Sequence, residues 1–143
     1  MLCSFLGPAW LMINSEKDAW GRIKEHKGGE GLMEWSEVTT RKRFSAEKGQ
    51  KIGLFRTERS MADLHCLLPG QAQKPHIHET SDKIYYVIEG TGRFRVGQEE
   101  RELSAGAAVV APALVEHGVE NPGSNPLVLF VVLAPPLPMD KAH

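Results

Sequence analysis

From residue 33 onward the chain is a succession of short segments rich in β-branched and aromatic residues, each closed by glycine, proline or a charged turn. They cover residues 50–57, 60–68, 83–89, 92–96, 107–111, 115–119 and 127–133. None is long enough, or periodic enough at 3.6 residues, to favour a helix, and short apolar runs bounded by turn residues read as strands. Evenly spaced strands of this kind build a sandwich or a barrel, so the fold class is all-β. Glu89-Gly90-Thr91-Gly92 and Gly97-Gln98-Glu99-Glu100 both read as hairpin connections. The proline-rich tail after Ala134 is expected to finish the domain without a helix.

Residues 1–32 have a different character. Ser15-Glu16-Lys17-Asp18 resembles a helix capping box, with Ala19, Trp20 and Ile23 forming a short apolar stripe behind it, and Lys27-Gly28-Gly29-Glu30-Gly31 is a breaker. The expected organisation is an N-terminal extension over residues 1–32, with one short helix, and a single β domain over residues 33–143. The extension is expected to be flexible or a translated leader, since codons for Gly29-Glu30-Gly31 can place a purine run just before Met33.

A length of 143 residues suits one domain, and 41% hydrophobic residues are enough for a core. With 17 basic and 18 acidic side chains the net charge is −1, which disfavours non-specific binding to nucleic acid because that depends on neutralising many phosphates. No stretch approaches the roughly 20 apolar residues that span a bilayer. The apolar start lacks a basic leader and is broken by Gly7-Pro8, and Cys3 and Cys66 make no disulfide framework. The expected setting is the cytoplasm, and the expected partner is a small organic molecule, with neither nucleic acid nor a membrane involved.

His76 and His78 are two residues apart, so on an extended chain both imidazoles project from one face. Pro69-Gly70 turns the chain before them and Pro75 fixes their approach. After a further apolar strand come Gly106, Pro112, His117 and Asn121, which give a third histidine that a barrel can bring beside the first two. Imidazole binds zinc, copper, iron and nickel, and three such ligands leave positions open for water or substrate.

These residues resemble the two conserved motifs of the cupin superfamily, as found in small bacterial single-domain cupins. Gly70, His76-Ile77-His78, Lys83 and Gly90 match the first motif, and Gly106, Pro112, Leu114, His117 and Asn121 match the second. Two positions depart: Lys83 stands where the motif has a glutamate, its fourth metal ligand, and Leu114 replaces the usual glycine. The resemblance spans residues 70–121 and, with flanking β runs, about 38–133. It implies a double-stranded β-helix, or jelly-roll β-barrel, of two antiparallel sheets around a cavity. It also implies a divalent transition metal (Fe, Mn, Ni, Zn or Cu) held by His76, His78 and His117, and a homodimer.

Alternation places Lys83, Tyr85 and Val87 on one face of their strand and Ile84, Tyr86 and Ile88 on the other, and the resemblance turns the first set inward. An ammonium facing a cation can lose its proton, swing away to a carboxylate such as Asp82 or Glu79, or prevent metal binding. Swinging away is the favoured expectation. Lys83, as a base or an anion-binding group, and Tyr85, as a cavity wall with a polar tip, are the candidate catalytic residues. His65 and Cys66 point to opposite faces, so at most one of them lines the cavity, and packing is the simpler reading of either. Arg93-Phe94-Arg95-Val96 faces Glu99, Glu100, Arg101 and Glu102 across a hairpin and reads as a solvated face with weak ion pairs.

The functional expectation is a metal-dependent enzyme of oxygenase or isomerase type acting on a small organic molecule. The alternative is a non-catalytic or metal-free cupin that binds or senses a small ligand, with Lys83 contributing a charge. The fold alone cannot choose between them.

Overall fold

The structure is a computed structural model that describes residues 33–139. The expectations placed on residues 1–32, the short helix included, fall outside that range. A 3-10 turn, Val38–Arg41, precedes nine strands: β1 Gln50–Arg56, β2 Met61–Leu67, β3 Ala72–His76, β4 Asp82–Glu89, β5 Thr91–Val96, β6 Glu99–Ser104, β7 Ala108–Ala111, β8 His117–Glu120 and β9 Leu127–Ala134. Among the described residues no helix is long and apolar enough to cross a membrane.

The strands form two antiparallel sheets, ordered β1-β2-β9-β4-β7 and β3-β8-β5-β6. Alternation explains how they stack. On β4, Lys83, Tyr85 and Val87 are buried while Asp82, Ile84 and Tyr86 are exposed. The inward side chains of the larger sheet, among them Leu67, Tyr85, Val87, Leu129 and Val131, meet Phe94 and Val119 of the smaller one. A second apolar cluster covers the outer face of the larger sheet, where Ile52, Leu54, Leu64, Cys66 and Val128 lie under Val38, Phe55 and Phe130. The jelly-roll reading of the sequence therefore holds, and residues 135–139 contain no helix.

Two details differ from the sequence expectation. β3 and β6 are absent from the apolar runs because both are edge strands of the smaller sheet, built from polar residues such as Gln73 and Lys74 or Glu99, Glu100 and Arg101. The connection at Glu89-Gly90-Thr91-Gly92 is not a hairpin, since β4 and β5 lie in different sheets. Gly90, at φ 82°, carries the chain across under Pro126, whose carbonyl oxygen would lie 2.3 Å from any added Cβ. The second expected hairpin does form, with Val96 opposite Glu99 across Gly97-Gln98. Beside it Arg93 meets Glu102 at 3.0 Å and also pairs with Glu120, all on a solvated face.

Candidate metal centre

The three histidines come together because β3 lies beside β8. His76 ends β3 directly opposite His117, which begins β8. Pro75 is tolerated there because β3 is an edge strand and has no second neighbour awaiting its missing N–H. Gly118 sets the spacing: a Cβ at this position would lie 2.9 Å from the Gln73 carbonyl oxygen and 3.1 Å from Pro75 N. The sequence reading missed Gly118, because a glycine demanded by a neighbouring backbone leaves no local signature. His78 follows β3, and its carbonyl accepts the Leu114 amide at 2.8 Å. Leu114 itself adopts φ 69°, a left-handed conformation natural to the glycine it replaces.

The ring centres of His76, His78 and His117 are separated by 4.7, 4.5 and 5.2 Å, and one nitrogen from each lies within 4.8 Å of the others. The ring hydrogen bonds fix which nitrogens can ligate. His76 Nδ1 donates to the Lys74 carbonyl at 2.8 Å and His117 Nδ1 to the Val115 carbonyl at 2.9 Å, leaving each Nε2 unprotonated. His76 Nε2 is 3.1 Å from His78 Nε2, and His117 Nε2 is buried with no hydrogen-bond partner. Converging lone pairs with one left unsatisfied suit a shared cation. Burial, with a contribution from the Lys83 charge, lowers the His76 pKa to about 4 and that of His78 to about 3, and holds His117 below its ordinary value. All three imidazoles are therefore neutral, the form that binds metal, at physiological pH.

Lys83 does not swing away. It is 2% exposed, inside the barrel, with Nζ 4.9 Å from the centre of the Tyr85 ring. Pairing on both sides, to β7 and β9, holds β4 in register and commits Lys83 to the inner face. Asp82, on the opposite face, accepts the Ala113 amide instead, and Glu79 is exposed. Burial, reinforced by Lys51 and opposed by Asp63, lowers the Lys83 pKa to about 7. The Tyr85 hydroxyl donates to Gln73 Oε1 at 2.9 Å, and burial pushes its pKa well up, which makes Tyr85 a fixed wall of the site.

His65 and Cys66 do point to opposite faces, His65 inward and Cys66 into the outer apolar cluster. His65 Nε2 lies 3.1 Å from the buried Asp63 Oδ1, in ion-pair range but out of line for a hydrogen bond. Burial lowers the His65 pKa to about 4, so the ring is neutral. The sequence reading overlooked Asp63. Its position two residues before His65 on an apolar strand was the available signal, because alternation turns both the same way. Asn121 is structural: its Nδ2 donates to the carbonyls of Leu67 and Asn125, and its Oδ1 accepts the Gly123 amide.

A family profile described as "Cupin domain" matches residues 63–133. The chain is similar to an uncharacterised protein of Methanocaldococcus jannaschii, 36% identical over 61 residues, which are 43% of this chain and 49% of that one. It thus spans about half the length of that relative. It is also similar to the oxalate-binding protein of Thermotoga maritima, 24% identical over 123 residues, 86% of this chain and 93% of the other. Among solved structures, TT1209 from Thermus thermophilus is 50% identical, with a TM-score of 0.70, covering 72% of this chain and 98% of that one.

Proposed function

Because the chain belongs to the cupin superfamily, we propose that it holds one divalent transition metal on His76, His78 and His117 and acts on a small organic molecule in the barrel. The observation that carries this reading is the convergence of three neutral imidazoles with the buried His117 Nε2 unpartnered. A metal there supplies Lewis-acid polarisation of a ligand oxygen or, if it is iron, oxygen activation, which fits chemistry of isomerase or oxygenase type. The protein's own residues do the rest. The carbonyls of Lys74 and Val115 hold two ring tautomers, Tyr85 and Phe94 wall the cavity against water, and Lys83 presents a charge beside the site. Lys83 and Tyr85 are the candidates for contact with the reacting molecule.

A second reading, a metal-free cupin that binds or senses a small ligand, is favoured by one observation: Lys83 stays inside the barrel, where its charge opposes a cation. The relative named for binding oxalate is compatible with either reading. The proposed setting is a cytoplasmic homodimer. Exposed Ile84, Tyr86 and Val110, which share the outer face of β4 and β7, support pairing through that face.

Elemental analysis of the purified protein beside His117→Ala separates the two readings. About one transition-metal ion per chain, lost in the variant, supports the metal-dependent enzyme. A protein that stays empty after metal addition supports the metal-free reading.

A further inference from the structure

A lysine is almost never fully buried without a carboxylate beside it, yet Lys83 is buried and no ion pair joins it to an acid among the described residues. Its cross-strand neighbours on the inner face are Ala111 of β7 and Leu133 of β9, both buried, and Nζ rests over the Tyr85 ring. Asp63, the carboxylate whose field reaches it, lies against His65 instead.

These surroundings disfavour the charged form. Apolar walls strip the ammonium of water, and the Tyr85 face offsets only part of that loss. The pKa falls to about 7 through burial, with the Lys51 charge adding to the effect and Asp63 opposing it. An ordinary lysine, near ~10.4, carries almost no free amine at neutral pH. The amine also shares the barrel interior with the three histidines, since its charge reaches each of them, and the partly exposed His76 marks where that interior meets solvent. A desolvated lysine in an apolar pocket is the setting in which an amine attacks a carbonyl carbon.

We infer that Lys83 is a nucleophile that captures a small, neutral aldehyde or ketone as an imine. The amine lone pair forms the bond to the carbonyl carbon while the π pair of the C=O moves onto oxygen, which takes one proton from the nitrogen. The oxygen then leaves as water with the second amine hydrogen, and the nitrogen lone pair closes the C=N bond. Ala111, Leu133 and the Tyr85 ring select a compact, uncharged carbonyl compound. The inference does not rest on the metal reading, because amine and carbonyl balance the step by themselves.

The test treats the chelator-treated full chain at about pH 7 with acetone and cyanoborohydride, which reduces an imine to a stable isopropylamine, and locates the modified lysines by peptide mass spectrometry. Lys83 is expected to react about tenfold or more faster than the exposed Lys74, and to lose that advantage when the chain is unfolded in urea. A lysine buried for packing alone would be slower than Lys74. Lys83 no faster than Lys74, an advantage that persists in urea, or modification centred on Lys51 overturns the inference. Lys83→Met is expected to lose the fast phase of mass gain; the peptide map of the wild type decides if this variant does not fold. Failure here leaves the histidine centre untouched, and a histidine centre that takes no metal leaves this inference untouched.

Discussion

Lys83 Nζ lies 4.9 Å from the centre of the Tyr85 ring, two residues along the same inward face of β4. The ammonium thus has a π face as its neighbour where the family motif has a metal-binding carboxylate, and its charge lowers the proton affinity of all three histidines.

Replacing Lys83 with glutamate therefore changes the site directly. Lys83→Glu removes the like charge and places a carboxylate on the inner face of β4, so metal binding should tighten about tenfold or more. Competition with a chromophoric chelator measures it. Unchanged affinity would show that the position does not communicate with the histidines.

The Lys83 charge also sets a pH dependence of stability. Its pKa, lowered by burial to about 7 in the folded chain from an ordinary 10.5, means that the unfolded chain binds this proton more tightly. Between those values the unfolded state carries more protons, so stability rises with pH from about 7 to 10.5; below 7 the contribution is flat. Lys83→Met should lose this slope. Chemical denaturation of the metal-free proteins at several pH values checks it.

Metal retention should extend to lower pH than free imidazole allows. An ordinary histidine, near ~6.5, predicts metal loss through that region. Burial lowers His76 to about 4 and His78 to about 3 and holds His117 below its ordinary value, so protons compete for the lone pairs only below the usual histidine range. Metal content after dialysis should be nearly the same at about pH 5 as at about pH 7 and fall toward about pH 4. Half-loss near pH ~6.5 would contradict the burial argument.

Leu114 carries strain that glycine would relieve. At φ 69° its Cβ crowds the following carbonyl, and its side chain is exposed and contributes little packing. Leu114→Gly should stabilise the protein by about 1 kcal/mol, less the extra chain entropy that glycine brings to the unfolded state. The denaturation midpoint reports the sign. A destabilised variant would mean that the Leu114 side chain has a role in packing after all.

Much of this was legible in the sequence, and the particular residues show why. The inward set Lys83, Tyr85 and Val87 follows from the two-residue period of a strand, and the histidine grouping from motif spacing. β3 and β6 were not legible, because polar edge strands have no apolar alternation to betray them. The turn at Gly90 was misread because a positive-φ glycine serves a hairpin and a change of sheet equally well. The resting place of Lys83 was misjudged because pairing of β4 to both β7 and β9, which fixes the inward face of that strand, decides it. Nearby Asp82 and Glu79 do not.

The most direct measurement of metal binding by the three histidines is a titration of the chelator-treated protein with Co(II), followed by visible absorption, alongside His76→Ala and His117→Ala. Ligand-field bands should saturate at about one equivalent in the wild type and be lost or strongly weakened in both variants. Bands absent from the wild type, or equal in all three proteins, would contradict a three-histidine metal centre.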